Sequence, residues 1–321
     1  MLSQAKRILL EVLAPATRKN YSYWLSRLIS FKAELNFPQS FKLTVDLFLA
    51  FLMSISNNAV KQGAVGGLNM ARSACRHDWI LTFPDESCPT DSPLVTLFIK
   101  SITKKFNVIV KKKKALSSED FIKILTFLKS NVSWNDVLFI KHRFAAQLVL
   151  MFTTFARFEE TQSLFLDQVQ FFPSCAVITF KKSKKFKIGE TGTAVLTNQP
   201  NMVCNPLEVL FSYCARLQER VQGNVVLFPA CRGSILLDHF VSYNAVRVQF
   251  KTVLVEAGIC IDPSSFGLHS CRRGAVTAAV NAGGNPDIIA KAMRVKSREM
   301  VHYYATLDQE NLGRICDLLF N

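Results

Sequence analysis

FGLHSCRRGAVTAAVNAGGNPDIIAKAMRVKSREMVHYYATLD, residues 266–308, is the stretch around which the chain reads as organised. It opens on His269-x-x-Arg272 at the start of a helix rich in small residues. It then turns at Gly283-Gly284 and runs through a basic segment to Tyr303-Tyr304. Residues three apart on a helix share a face, so His269 and Arg272 can point at one ligand. Both can donate to phosphate oxygens, and a helix N-terminus adds further donors. A capping histidine and a surface arginine would give the same pattern. A tyrosine is a nucleophile only with cations beside it, because the free phenol titrates near about 10.

The remainder of the chain bounds what such a site could act on. Its 321 residues allow two domains, and 49% hydrophobic residues suffice for a core. Lys and Arg number 39 against 24 Asp and Glu, a net +15. That excess favours a polyanionic partner, since basic side chains displace counterions from phosphates. Nine cysteines are scattered without a C-x-x-C pair or matching histidines, which argues against zinc. No stretch reaches the roughly 18 apolar residues of a membrane span, and the first twenty residues lack the apolar run of a secretory signal. Reduced cysteines in cytosol or nucleus are therefore expected.

Residues 1–106 read as an all-α domain. Tyr21, Trp24, Leu28 and Phe31 recur at helical spacing within 14–36, with Thr17 as the expected N-cap. Further helices are expected over 43–55, capped by Thr44, and over 60–78 and 92–106. Lys111, Lys112, Lys113 and Lys114 then break the pattern in a linker placed at 107–116. Such a run is either a solvated connector or a basic strap along a phosphate backbone. Residues 117–321 form the second domain. Ser117 or Ser118 caps a helix over 120–130, and a largely apolar helix over 141–155 is read as buried. Short β-branched or aromatic runs at 169–172, 176–180 and 192–196 predict a three-stranded antiparallel sheet. Helices over 206–222 and 238–257 follow, the second stopped by Gly258.

Two upstream motifs complete the pattern. Arg157 emerges from the apolar helix in ARFEE (156–160), where it needs a partner. Glu160 either neutralises it structurally or orients it into a cleft. A lysine-rich turn, KKSKKFKIG (181–189), could send one lysine into a site as a mobile general acid. On the residues alone Lys181, Lys182, Lys184 and Lys185 are all candidates.

The order Arg, hairpin Lys, His-x-x-Arg, Tyr resembles the tyrosine recombinase (phage integrase) family, in the type carried by eukaryotic mobile elements. ARFEE, the lysines before Gly189, HSCRRGAVTAAVNAG (269–283) and MRVKSREMVHYY (293–304) carry the likeness. It implies a mainly α, two-domain fold, with an all-α core-binding domain followed by an α+β catalytic domain. The two would clamp double-stranded DNA, with the lysine linker along its backbone. It implies that Arg157 and Arg272 grip the scissile phosphate, supported by Glu160. Lys182 would protonate the 5′-hydroxyl leaving group and His269 would assist proton transfer. Tyr304 would attack to give a 3′-phosphotyrosyl intermediate, with Tyr303 as the alternative nucleophile. No metal or other cofactor is implied, because the arginines supply the charge.

The sequence departs from the family where His or Trp usually stands, nine residues before the tyrosine. Val295 occupies that position, preceded by Met293-Arg294 where Gly is common. Valine can pack but cannot donate, which leaves Arg294, Lys296 or His302 for the donor. The resemblance also implies a dimer on each site and a tetramer in synapsis. The tail's Leu307, Leu312, Ile315, Leu318 and Leu319 would dock on a neighbouring protomer. The expected location is nuclear in a eukaryote and cytoplasmic otherwise. Two rivals share the pattern: a type IB topoisomerase, and a decayed or domesticated recombinase that binds DNA without cutting it.

Overall fold

The structure is a computed structural model that describes residues 13–57, 64–105, 113–130, 132–181, 190–200, 202, 204–233, 235–295 and 297–305. Contacts divide the chain into two units, Met1–Lys111 and Lys112–Asn321.

The first unit is helical among the described residues. Its helices are α1 (Pro15–Glu34), α2 (Val45–Asn57), α3 (Ala64–Thr82) and α4 (Pro93–Lys105). Phe48, Phe51, Leu52, Leu68 and Val95 are fully or almost fully buried at its centre. Thr44 caps α2 as expected, its Oγ1 accepting the Leu47 N–H at 3.2 Å. Thr17 does not cap α1. Pro15 takes the first helical position, which suits its fixed φ and missing N–H, so the helix starts before Thr17.

The second unit is built around α6 (Phe139–Thr153), buried on nearly every face. Its polar residues His142, Arg143 and Gln147 are buried with the apolar ones, each with a hydrogen-bond partner. Before it, α5 (Ser118–Lys129) starts at Ser117, whose hydroxyl accepts the Asp120 N–H at 3.0 Å. After it come α7 (Phe158–Gln162) and the sheet β1 (Val169–Phe172), β2 (Cys175–Phe180) and β3 (Gly192–Thr197). The sheet is antiparallel in the order β1-β2-β3, with Val169 opposite Ile178 and Phe180 opposite Gly192. Alternation along β2 turns Ala176, Ile178 and Phe180 into the core.

Next are α8 (Pro206–Gln218), β4 (Pro229–Arg232), β5 (Ile235–Phe240) and α9 (Tyr243–Glu256). The hairpin β4–β5 corrects the helix expected from residue 238. Asp238, His239 and Phe240 belong to β5, and Ser242 is the true N-cap, accepting the Ala245 N–H at 3.2 Å. The chain closes with α10 (His269–Asn281), α11 (Pro286–Ala292) and α12 (Glu299–Tyr304).

Two glycines fix how α10 sits. Gly283 is left-handed at φ 78°, and the Gly283 and Gly284 N–H groups bond the carbonyls of Val280 and Ala279, each at 2.9 Å. These bonds make the paired C-terminal closure that turns the chain back towards α11. Gly274 faces the segment 113–116: a Cβ there would lie 1.7 Å from the Leu116 carbonyl oxygen. This segment is bonded to the residues before and at the start of α10, through Lys114 N to Ser265 O (2.9 Å) and Leu116 N to Ser270 O (3.0 Å).

Candidate active site

The site forms where α6, α7, α10 and α11 end or begin, and the buried carboxylate of Glu160 is its centre. Glu160 stands in the first turn of α7 and reaches back to the Arg157 N–H at 2.9 Å, closing that helix end. The same carboxylate accepts Arg157 Nη1 at 2.7 Å and Arg294 Nη2 at 3.0 Å, and Arg272 Nη1 lies 3.8 Å away. Among the described residues, Glu160 is the one carboxylate within ion-pair distance of these three guanidiniums. One negative charge against three positive charges leaves the cluster in want of an anion.

Arg272 is fully buried and donates to the carbonyls of Phe155 and Met293, the latter at 2.7 Å. Its guanidinium lies 5.4 Å from the centre of the Tyr304 ring. Burial pulls its pKa down to about 10, helped by Arg157 and Arg294 and opposed by Glu160 and Tyr304. It therefore stays charged at neutral pH. Its Nε, like that of Arg294, is buried without a hydrogen-bond partner. Arg157 is the least enclosed of the three, its side chain 13% exposed.

Tyr304 is half-buried against a small cluster containing Val276, Ile289, Met293 and Val301, while Tyr303 is 51% exposed. Val295 joins the same cluster, packed where Tyr304 packs. His269 presents an exposed edge at the start of α10. The protein walling its other side removes water and lowers its pKa below the ordinary value. Arg272 and Arg157 lower it further, and Glu159 opposes them.

Lys182 lies outside the described residues, as do Lys184 and Lys185. Lys181 is exposed, 3.8 Å from Asp167. The strand leading to this turn ends inside the site, because Phe180 is buried with Arg294 stacked 4.2 Å from its ring centre. Lys111 and Lys112 also lie outside the described residues. Lys113 donates to the Ser264 carbonyl at 2.6 Å, and Lys114 is exposed.

Arg294, one of the candidate donors near Val295, has a definite place. It follows α11 at φ 55°, where its N–H bonds Lys291 O and the Val295 N–H bonds Ala290 O, each at 3.0 Å. This repeats the closure made at Gly283, with an arginine at the left-handed position. That backbone costs a non-glycine residue about 1–2 kcal/mol. Nothing in the local sequence signals the partner, since Glu160 is remote in the chain.

A mainly helical unit with a guanidinium cluster beside a tyrosine has the groups to hold a phosphodiester against a hydroxyl. The sequence profile of the phage integrase family matches residues 114–311, and the chain belongs to that family. It is a tyrosine recombinase, an enzyme that cuts and rejoins DNA. No curated protein matches the sequence. Among solved structures it is similar to the Tn1549 transposon integrase in complex with a circular intermediate DNA. That match has a TM-score of 0.59 and 13% identity, covering 99% of each chain. It is also similar to a lambda integrase dimer bound to a core site, at TM-score 0.57 and 13% identity, covering 98% of this chain and 77% of that one. The XerH site-specific recombinase on its palindromic substrate matches at TM-score 0.53 and 14% identity, covering 96% and 97%.

Proposed function

We propose that Tyr304 attacks the scissile phosphate while Arg157 and Arg272 hold its nonbridging oxygens. The observation that carries this assignment is the excess of positive charge around Glu160, beside the Tyr304 ring. In the step, the Tyr304 oxygen forms a bond to phosphorus and the bond from phosphorus to the 5′-oxygen breaks. Lys182 delivers a proton to that leaving oxygen. His269, held neutral near pH 7 by its lowered pKa, accepts the tyrosine proton. Guanidinium donors aimed at a pentacoordinate phosphorane stabilise charge that develops only in the transition state. Rejoining is the same step reversed, with the 5′-hydroxyl of a partner strand as nucleophile. The exposed Tyr303 is the less favoured nucleophile, since the ring over Arg272 belongs to Tyr304.

Mapping the DNA that the protein protects supplies the sequence for a nicked suicide duplex. The expected result is a covalent protein–DNA adduct, formed by the wild type and by Tyr303→Phe but absent in Tyr304→Phe. Loss of the adduct in Tyr303→Phe alone would move the nucleophile by one residue. Tight binding with no adduct from the wild type would make the protein a DNA binder only.

The assembly we propose is a dimer on each site and a tetramer in synapsis, joined through the apolar tail after Tyr304. That tail lies outside the described residues. Removing residues 309–321 is expected to leave cleavage of a single site and to abolish the four-protomer synapse in sedimentation. An intact synapse would refute the docking role. Action in the nucleus of a eukaryotic host, or in the cytoplasm otherwise, is part of the same reading.

A further inference from the structure

Arg294 is neither a phosphate ligand nor a nucleophile in the chemistry above, yet the fold accepts a strained backbone to keep it. The position following α11 asks for glycine, because its φ is 55° and its closure is the one Gly283 makes after α10. The arginine found there has a side chain only 4% exposed, and its contacts run in three directions. Nη2 donates to Glu160 Oε2 at 3.0 Å and to the Thr154 carbonyl at 3.1 Å. Nη1 donates to the Ala292 carbonyl at 3.0 Å, and the guanidinium plane covers Phe180 at 4.2 Å. The Met293 carbonyl, one residue back, accepts Arg272 Nη2 at 2.7 Å. Residues 293 and 294 thus hold one phosphate-gripping arginine by the backbone and the other by the side chain, through Glu160.

We propose that Arg294 is the positioning residue of the phosphate clamp. It fixes the Glu160 carboxylate, so that Glu160 binds Arg157 through Oε1 and through the Arg157 N–H at once. Arg157 is thereby aimed before DNA arrives. In this role Arg294 touches no reacting atom: its Nη groups donate to carbonyls and to Glu160, and its Nε is enclosed by protein. Its charge also offsets part of Glu160, leaving Arg157 and Arg272 less neutralised for the DNA. This inference rests on the phosphate-clamp reading above.

The decisive variant is Arg294→Gly, which suits the left-handed backbone and so removes the side chain without adding strain. Arg294→Lys is the conservative control, able to reach Glu160 but not to form the planar fork. Single-turnover cleavage is measured at saturating suicide duplex, beside the binding constant. It is repeated on a duplex with an uncharged methylphosphonate at the scissile position. On the ordinary phosphate, Arg294→Gly should cleave about 100-fold more slowly, the loss typical of removing one preorganised donor. DNA affinity should change by less than about threefold, and Arg294→Lys should recover part of the rate. On the methylphosphonate, which gives the clamp no anionic charge to balance, the difference from wild type should shrink to within about threefold.

An equal loss on both duplexes, a loss confined to affinity, or no loss at all would each overturn the proposal. If Arg294→Gly alone fails to fold, Arg294→Lys decides by the same ratio of the two duplexes. Failure of the underlying reading looks different: the adduct would then survive Tyr304→Phe, or the wild type would form none.

Discussion

Two arginine clusters of the second unit can be set side by side, and they balance charge differently. Around His142, Arg216 Nη1 donates to the carbonyls of Trp134 (3.1 Å) and Val137 (2.6 Å) and to His142 Nδ1 at 3.2 Å. His142 Nε2 meets the Val209 carbonyl at 3.1 Å, and its ring stacks on Trp134. Every partner there is neutral and near in space, and one cation is spread over three acceptors. Around Glu160, three guanidiniums crowd one carboxylate, and two of them keep a buried Nε without a partner. In the first arrangement the hydrogen bonds of the cation go to neutral groups, and the Trp134 Nε1 beside it is buried without a partner. The second keeps a net positive charge, and the proposed phosphate clamp rests on that excess.

Four measurements would break or sharpen this contrast. The largest effect belongs to the proposed nucleophile beside the second cluster: Tyr304→Phe should abolish the covalent adduct while leaving DNA binding intact. Next is Glu160→Ala, which strips the three arginines of their counter-charge. It should cost about 3–5 kcal/mol in urea unfolding, the usual penalty for orphaning a buried ion pair. Added sulfate or DNA should restore more stability to this variant than to wild type. If anions stabilise both equally, the cluster is not waiting for one.

Arg216→Met at the first cluster should cost about 2–3 kcal/mol by orphaning its acceptors. The cleavage rate per folded molecule should stay unchanged, and a fall in that rate would erase the distinction between the two sites. The smallest effect is on pH. Burial lowers the His142 pKa to about 4, so the folded state takes up its proton later than the unfolded chain does. Stability from this group is full above the ordinary value near about 6.5 and is lost as pH falls towards 4. The loss should reach roughly 2 kcal/mol between pH 6.5 and pH 5. His142→Gln should flatten that part of the denaturation curve.

Much of the scaffold could be read from local signals. Ser117 and Thr44 cap where an oxygen was needed. The alternation in residues 176–180 places Ala176, Ile178 and Phe180 inward, and the three strands fall within a residue or two of where β-branched runs put them. What failed was local competition. Pro15 overrode Thr17 at the start of α1, and the apolar run before Ser242 imitated a helix although it pairs as β5 with β4.

The candidates Arg157, His269, Arg272 and Tyr304 could be picked from the sequence because each stands in a recognisable stretch. The meeting of Arg294 with Glu160 could not, since those residues lie far apart in the chain and only the turn after α11 joins them. Nor did four consecutive lysines reveal that Lys113 bonds Ser264 while Lys114 faces solvent.

The contact between Gly274 and Leu116 sets a rule for how this sequence can vary. A Cβ at position 274 would strike the Leu116 carbonyl oxygen and also approach its backbone nitrogen at 2.9 Å, so the obstacle is main chain and not a side chain. No replacement at position 116 can make room, because every residue carries the same oxygen and nitrogen. Covariation between the two positions is therefore not expected. A library randomised at both should return glycine at 274 and a spread of apolar residues at 116.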